Sequence, residues 1–416
     1  MNDFTYKDNA LYCENVPVKA IADKFPTPFY LYSYATFMDH FRKIKKAFEA
    51  VDPLICFSMK SNSNLSIARA LVREGAGLDI VSGGELFKAL KVGCPADRIV
   101  YASVGKTEAE IESAIRSNIL FFNVESVPEL IMIDTVSRRL KEKPRVALRV
   151  NPDVSADTHE YITTGKKENK FGIDFTTAED IFDNENKYSN VSLEGIHVHI
   201  GSQITDTEPF VKAISKVIEF LEKSAVSVKW LNIGGGFGIT YGQEKAKTAE
   251  EFASRIIPLV KGKGFRLILE PGRFIIGNAG ILVAKVLYIK TTSGGKRFAI
   301  VNAGMNDLIR PSLYDAYHEI TPVVKLRSET HMYDIVGPIC ESGDFLGKNR
   351  ELPELVEDEY LAVMSTGAYG FAMASNYNSR PRPAELLVKN GRVRVIRRAE
   401  TYKDLISCEK MLKELK

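Results

Sequence analysis

Short apolar runs alternate with helical patterns between about residue 26 and residue 275. The runs are rich in Ile, Val, Leu and Phe without polar alternation, which is typical of parallel strands buried on both faces. Eight are predicted as strands: Leu54–Phe57, Leu78–Val81, Ile99–Tyr101, Leu120–Asn123, Val146–Val150, Gly195–Ile200, Trp230–Ile233 and Leu267–Glu270. Eight strands alternating with helices predict an α/β fold, a (β/α)8 TIM-like barrel, with a doubly wound open sheet as the alternative.

The segments between these strands carry helix start and stop signals. Capping boxes are predicted at TEAE, residues 107–110, and at SVPE, residues 126–129, because each begins with Thr or Ser and has Glu three positions later. Gly75 and Gly93 follow helical stretches, where a glycine in the left-handed conformation often ends a helix. The stretch Asn151–Gly172 is long and polar for a barrel loop and is predicted to be a surface excursion.

The hydrophobic pattern changes after about residue 278. Two hairpins are predicted, one around Ser293-Gly294-Gly295 and one around Asn390-Gly391, because strand-like runs flank each glycine turn. We therefore expect two domains. Residues 26–277 would form the barrel, and residues 1–25 plus 278–416 would form a β-rich domain.

Composition excludes several classes of protein. The 416 residues include 56 basic and 53 acidic side chains, so the net charge of +3 gives no support for nucleic-acid binding. The five cysteines are scattered without CxxC spacing, which favours reduced thiols over a disulfide framework or a metal site. The N-terminus has no signal pattern and no apolar run is long enough to span a membrane. A cytoplasmic protein is expected.

Polar segments follow several of the predicted strands. They are FSMKSN ending at Asn62, HVHIGSQ around His199, GGGF at 234–237 and EPGR at 270–273, and Asp79 has a similar position. The carboxyl ends of barrel strands share one face, so these residues should converge on one pocket. A lysine amine, an imidazole, a glycine nest and a carboxylate beside an arginine would suit an aldehyde-bearing, phosphorylated, cationic ring such as pyridoxal phosphate.

Each segment also has a simpler explanation when it is taken alone. Lys60 can be an ordinary surface lysine, the glycine triplet a tight turn, and Glu270 with Arg273 a structural ion pair. A histidine in an apolar run is more often a core residue, and alternation cannot separate His197 from His199 because they would share a strand face. The Gly-Ser pair that follows His199 makes it the preferred candidate.

The order of these motifs along nearly the whole chain resembles the fold-type III pyridoxal phosphate-dependent decarboxylases. The likeness extends from TPFYLY at 27–32 through Asn-Tyr-Asn near residue 378, and includes GPICESGD at 337–344. The resemblance implies a barrel joined to a C-terminal β domain, pyridoxal 5'-phosphate as cofactor, and a homodimer whose active sites are shared between subunits. It also implies that the β domain contributes to the dimer interface and to the substrate site. The segment YASVGKT at 101–107 differs from the sequence that is usual in the family at this place.

The resemblance also implies individual roles. It assigns cofactor binding to Lys60, His199, Ser202, Gly234, Gly235, Gly236, Glu270, Pro271, Gly272, Arg273 and Tyr369. Lys60 would bind the cofactor aldehyde, His199 would stack on the ring, and Glu270 would pair with the pyridine nitrogen. Cys340 would be the proton donor, reaching in from the partner subunit with Glu341. Substrate binding is assigned to Arg273, Arg310, Tyr314, Glu341 and Tyr369.

The implied reaction is the decarboxylation of meso-2,6-diaminopimelate to L-lysine and CO2, the last step of lysine biosynthesis. The alternative is a related decarboxylase for ornithine, arginine or carboxynorspermidine. A catalytically inactive binding protein is disfavoured because Lys60, Glu270 and Cys340 are all present. A single-barrel cofactor carrier is disfavoured by the large β-rich region after residue 278.

Overall fold

The computed structural model describes residues 3–154 and 170–412. The chain divides into two compact units: the barrel unit, Met38–Ile275, and the β unit, which combines Met1–Phe37 with Ile276–Lys416. Of the stretch predicted as a polar excursion, residues 155–169 lie outside the described residues. Across the described parts of the chain, no helix has the length and apolar character needed to cross a membrane.

The N-terminal segment belongs to the β unit. Its elements are β1 (Phe4–Lys7), β2 (Ala10–Cys13), β3 (Val16–Pro17), α1 (Val18–Ala22), β4 (Phe29–Ser33) and the start of α2 (Tyr34–Ala47). Strands β1 to β3 form a small antiparallel sheet. The sequence places the start of the barrel at residue 26, whereas the structure groups residues through Phe37 with the β unit. The reason is that the fully buried β4 pairs with strands of that unit.

The barrel unit is a closed ring of eight parallel strands in sequence order, which confirms the predicted TIM-like barrel and excludes the open sheet. Its strands are β5 (Leu54–Ser58), β6 (Gly77–Ile80), β7 (Ile99–Tyr101), β8 (Phe121–Val124), β9 (Arg145–Arg149), β10 (Ser192–His197), β11 (Trp230–Asn232) and β12 (Arg266–Leu269). The ring closes where β12 pairs with β5. Strand β10 ends at His197, so His199 lies in the following loop rather than in the strand.

Helices follow most of these strands and pack around the ring. They are α3 (Leu65–Arg73), α4 (Gly83–Lys91), α5 (Glu108–Arg116), α6 (Val127–Leu140), α7 (Phe175–Asp183), α8 (Glu208–Lys223), α9 (Ala249–Val260) and α10 (Arg273–Ile276). The capping box predicted at 107–110 is present at the start of α5. The one predicted at 126–129 is only half formed, because the Glu129 carboxylate accepts from the amide of Glu125 instead of returning to Ser126.

The β unit contains the remaining strands and two short helices. They are β13 (Gly280–Thr291), β14 (Arg297–Val301), α11 (Arg310–Tyr314), β15 (Ile320–Pro322), β16 (Thr330–Val336), β17 (Phe345–Pro353), β18 (Tyr360–Val363), β19 (Ala384–Lys389), β20 (Arg392–Arg397) and α12 (Tyr402–Leu405). The main sheet runs in the order β17-β16-β14-β13-β4-β19-β20. Both predicted hairpins are present as the antiparallel pairs β13–β14 and β19–β20.

Candidate functional site

A layer of polar side chains closes the interior of the barrel at the carboxyl ends of its strands. We call it the polar layer; it comprises Ser58, Asp79, Asn123, Arg149, His197, Asn232 and Glu270, each at most 6 % exposed. An apolar layer lies two residues earlier on the same strand faces and includes Cys56, Phe121, Ala147, Trp230 and Ile268. The period of two therefore places an apolar floor beneath a buried set of charged and amide groups.

Lys60 lies in a tight turn directly after β5, at the rim of the polar layer. Its Nζ donates to Oδ2 of Asp79 at 2.9 Å, and the Ser58 hydroxyl donates to the same oxygen at 2.6 Å. Burial raises the pKa of Asp79, the nearby Glu270 raises it further, and Lys60 opposes both effects. The Lys60 side chain is still about one third exposed, at 34 %, so its amine is anchored by Asp79 while remaining accessible.

Glu270 follows β12 and is held from three sides. Its Oε1 accepts from the side-chain amides of Asn123 at 3.1 Å and Asn232 at 2.6 Å, and its Oε2 lies 3.4 Å from Nε2 of His197. Burial alone would raise the pKa of Glu270, but His197, Lys60 and the Asn232 amide hold it well below its usual value. Glu270 is therefore a carboxylate, oriented by two amides, throughout the neutral pH range.

His199 is a neutral imidazole of defined tautomer. The amide of Gly235 donates to its Nδ1 at 3.2 Å, which requires that Nδ1 carries no proton and assigns the proton of the neutral ring to Nε2. Loss of water around the ring, and then the positive charges of Arg149 and Lys60, hold the pKa of His199 well below its usual value. The ring is thus uncharged and half-buried, as a flat packing surface requires.

The glycine triplet after β11 is required by close backbone contacts. Gly234 and Gly236 have φ values of +69° and +100°, which disfavour other residues. A Cβ on Gly235 would lie 2.1 Å from the backbone oxygen of Glu270, and one on Gly236 would lie 2.4 Å from that of Gly201. The triplet therefore packs directly between the loops that carry His199 and Glu270.

Arg273 is buried at the start of α10 beside the glycine triplet. Its guanidinium donates to the hydroxyl of Tyr241 at 2.5 Å and to the hydroxyl of Ser202 at 2.9 Å. Gly272 makes this position possible, because a Cβ there would lie 3.0 Å from the side chains of Ser58 and Ser61. Lys60, His199, Ser202, residues 234–236 and 270–273 thus all belong to the carboxyl-end face of the barrel, as their positions after the strands predict.

Several polar-layer residues were not singled out by the sequence analysis. Asn123 and Asn232 orient Glu270, while Arg149 forms a buried ion pair with Glu125 at 2.7 Å and donates to the backbone oxygen of His199 at 3.3 Å. The sequence pattern does mark these three positions as facing the barrel interior. Asn123, Arg149 and Asn232 are each a polar residue two positions after an apolar one in a predicted buried strand. Tyr241, which lies in a loop, has no comparable signal.

The predicted substrate residues of the β unit form their own groups. Arg310 is buried at the first position of α11, and Tyr314, half-buried, is the last residue of that helix. Cys340 and Glu341 are exposed; the Cys340 amide donates to Oδ1 of Asn378 at 3.2 Å, and the Tyr377 hydroxyl donates to Glu341. Tyr369 has a φ of +58°, an unusual value for a bulky residue and one often found at functional positions.

Comparison with known proteins identifies the family. Residues 34–277, more than half of the chain, match the family described as pyridoxal-dependent decarboxylase, pyridoxal binding domain. Diaminopimelate decarboxylase from Aquifex aeolicus (strain VF5) is 49 % identical over 401 residues, covering 95 % of each chain. The structure of diaminopimelate decarboxylase from Helicobacter pylori complexed with L-lysine has a TM-score of 0.90 at 42 % identity, covering 94 % of this chain and 99 % of that one.

The structure of diaminopimelate decarboxylase from M. jannaschii in co-complex with L-lysine has a TM-score of 0.94 at 37 % identity and covers 99 % of both chains. The likeness therefore extends over the barrel unit and the β unit alike. The chain belongs to the diaminopimelate decarboxylase family of pyridoxal-dependent decarboxylases.

Proposed function

We propose that this protein decarboxylates meso-2,6-diaminopimelate to L-lysine and CO2, the last step of lysine biosynthesis. The observation that carries the proposal is the set of groups at the carboxyl-end face of the barrel. There, an accessible lysine amine, a neutral imidazole, an ionised carboxylate and a buried arginine lie on the same face of the barrel as one glycine triplet. The relatives named diaminopimelate decarboxylase, two of them with L-lysine bound, support the choice of substrate.

The residues present fit pyridoxal phosphate. Lys60 would bind the aldehyde, the neutral ring of His199 would pack against the pyridine ring, and Glu270 would face the pyridine nitrogen. The glycine triplet would hold the phosphate through the amide of Gly236, together with Ser202, Arg273 and Tyr369. The amides of Gly234 and Gly235 donate to Oδ1 of Asn232 and to Nδ1 of His199. The lack of Cβ atoms in the triplet matters here, because it lets an anion approach the backbone closely. Pro271 and Gly272 fix the spacing between the carboxylate and the guanidinium.

Pyridoxal phosphate, when bound, supplies a ring that accepts the electron pair left behind by the departing carboxylate. The contribution of the polar layer is electrostatic. Glu270 remains ionised because His197, Lys60 and the Asn232 amide favour its charged form, and a carboxylate beside the ring nitrogen favours a proton on that nitrogen. A basic residue at this position would have the opposite effect, so Glu270 favours decarboxylation.

Glu270→Gln is expected to reduce kcat by about 10²–10³-fold while cofactor binding is retained, because the change removes a charge but keeps the shape. The measurement is the rate of lysine formation beside the visible absorbance of bound pyridoxal phosphate. Thermal unfolding serves as the check on folding. A variant that keeps its cofactor and turns over within threefold of the wild type would remove Glu270 from this role.

Cys340 would donate the proton that replaces CO2 on the substrate carbon, and Glu341 would contact the ammonium group at the far end of the substrate. Both residues are exposed in the single chain, which supports a homodimer in which they complete the partner's site. Five unbridged thiols in the chain agree with a reducing compartment, and we propose a cytoplasmic location.

Cys340→Ser is expected to reduce kcat by about 10²-fold or more with little change in cofactor absorbance, since a hydroxyl is a much weaker acid than a thiol. Cys408→Ser is the matched control, because Cys408 is also an exposed, unbridged thiol. Steady-state kinetics of both variants make the comparison. Equal rates for the two would show that Cys340 is not the proton donor.

Substrate choice follows from charge. The far end of diaminopimelate carries a carboxylate and an ammonium, so its recognition requires a cation and an anion, here Arg310 and Glu341. The test is kcat/KM for meso-diaminopimelate, ornithine, arginine and carboxynorspermidine under identical conditions. We expect efficient turnover of diaminopimelate alone. Higher efficiency with one of the others would reassign the protein to a related polyamine-pathway activity.

A further inference from the structure

A buried histidine contacts the arginine that is proposed to recognise the substrate. In the β unit, Nη1 of Arg310 lies 2.8 Å from Nε2 of His318, and Nδ1 of His318 lies 2.8 Å from the backbone oxygen of Met364. His318 is completely buried and Arg310 is 7 % exposed. The imidazole therefore bridges the guanidinium and the backbone of the β unit.

The donors and acceptors of this chain of contacts can be assigned from chemistry. A guanidinium only donates, so Nε2 of His318 accepts from Arg310. A backbone oxygen only accepts, so Nδ1 carries the proton and donates to Met364. Both contacts form together only when the imidazole is neutral and protonated on Nδ1. A doubly protonated ring would place a second cation against the guanidinium and lose the acceptor.

His318 is fixed by the sheet that surrounds it, whereas α11 is a single short turn. Strand β15 begins two residues after His318 and pairs with β18, and the amide of Met364 donates to the backbone oxygen of Glu319 at 2.8 Å. By contrast, α11 has only five residues and is followed by Asp315, which has a φ of +49°. The rigid end of this arrangement is therefore His318, and Arg310 is the group that it holds.

We propose that His318 is a positioning residue, whose neutral imidazole fixes the guanidinium of Arg310 in the orientation that binds the distal carboxylate of the substrate. This proposal rests on the proposed function, since it requires a substrate with such a carboxylate. The expected consequence is selective. Loss of the contact should weaken ligands that carry the carboxylate and spare those that lack it, because a guanidinium binds a carboxylate in a directional, two-pronged geometry.

Two inhibitors separate these cases. Whichever carbon of diaminopimelate loses CO2, the other keeps its carboxylate and its ammonium, so L-lysine still carries the carboxylate that Arg310 would bind. The diamine 1,5-diaminopentane has the same chain without any carboxylate. The ratio of the two competitive inhibition constants, measured on the holoenzyme, therefore reports carboxylate recognition independently of turnover.

Two substitutions separate the two contacts of the ring. His318→Gln places an amide oxygen near the position of Nε2 and keeps an acceptor for Arg310. His318→Asn places an amide near the position of Nδ1, which keeps the donor to Met364 but removes the acceptor at the position of Nε2. Both are polar and smaller than histidine, so their effects on folding should be similar, and thermal unfolding of each holoenzyme is measured in parallel.

The expected result is that His318→Asn raises KM for diaminopimelate and the inhibition constant of L-lysine about tenfold, with the constant for 1,5-diaminopentane unchanged. His318→Gln should restore L-lysine binding to within about twofold of the wild type. If His318→Asn does not fold, His318→Leu, which also removes the acceptor at the position of Nε2, is measured in its place with the same expected result.

An unchanged ratio in folded His318→Asn would overturn the proposal, as would equal changes for both inhibitors in both variants, which indicate a purely structural role. A wild-type protein that neither decarboxylates diaminopimelate nor binds L-lysine would instead overturn the proposed function. That failure would be recognised before any variant is measured.

Discussion

Lys60→Ala is expected to abolish the visible absorbance of covalently held pyridoxal phosphate and to lower kcat by on the order of 10⁴-fold or more. Lys60 is the amine that the barrel presents at the rim of the polar layer, 2.9 Å from Asp79 and still accessible. Its removal takes away the group that binds the aldehyde and leaves the buried Asp79 carboxylate without its cationic partner.

Absorbance spectra and steady-state rates of the purified variant make this test. Lys88→Ala is the matched control, because Lys88 belongs to the neighbouring helix α4 and donates to Ser63 at 2.7 Å, a hydroxyl just after the turn that carries Lys60. The control should keep both the absorbance and the activity. A visible band that persists in Lys60→Ala would assign cofactor attachment to another lysine.

Arg310→Ala should depress kcat/KM for diaminopimelate severely, by on the order of 10³–10⁴-fold, and leave cofactor absorbance intact. The reason is that the distal carboxylate of the substrate would be buried without a cationic partner, and burying an unpaired charge costs on the order of several kcal/mol of binding free energy. Arg310 is not among the residues proposed to hold the cofactor, so the loss of substrate recognition should be separable from cofactor binding.

Arg310→Lys distinguishes charge from geometry at this position. A lysine ammonium keeps the charge but not the planar pair of donors, so only part of the loss should be recovered. Kinetics with diaminopimelate and spectra of the cofactor are recorded for both variants. Catalytic efficiency in Arg310→Ala equal to that of the wild type would remove Arg310 from substrate recognition.

The barrel was predictable because its strands are unusually apolar. All eight predicted strands coincide with strands of the closed ring, since parallel strands buried on both faces read as continuous hydrophobic runs. The ends were less well predicted: the run at Gly195–Ile200 corresponds to β10, Ser192–His197, because Glu194 interrupts the apolar pattern at its start and the chain stays apolar after the strand ends.

The partners inside the polar layer could not be predicted from the motifs. Glu270 is 147 residues from Asn123 and 38 from Asn232, and only closure of the barrel brings the two amides to one carboxylate oxygen. Each asparagine lies in a short apolar run where nothing local marks its partner. The same holds in the β unit, where the contact of Cys340 with Asn378 spans 38 positions.

The backbone conformation of the site could not be predicted from the motifs either. The glycine triplet suggested an anion-binding nest, but the close contacts of Gly235 with Glu270, and of Gly236 with Gly201, depend on how three loops pack. The positive φ of Tyr369 could not be predicted, because tyrosine rarely adopts this conformation. These features follow from tertiary packing, which local sequence patterns do not contain.

The most direct test of the proposed function is a mass balance on one reaction. The purified protein, reconstituted with pyridoxal phosphate, is incubated with meso-diaminopimelate, and L-lysine and CO2 are quantified together over time. We expect equal amounts of both products, in a reaction that requires the cofactor and is absent in Lys60→Ala. Bound cofactor with neither product formed from diaminopimelate would contradict the proposed function.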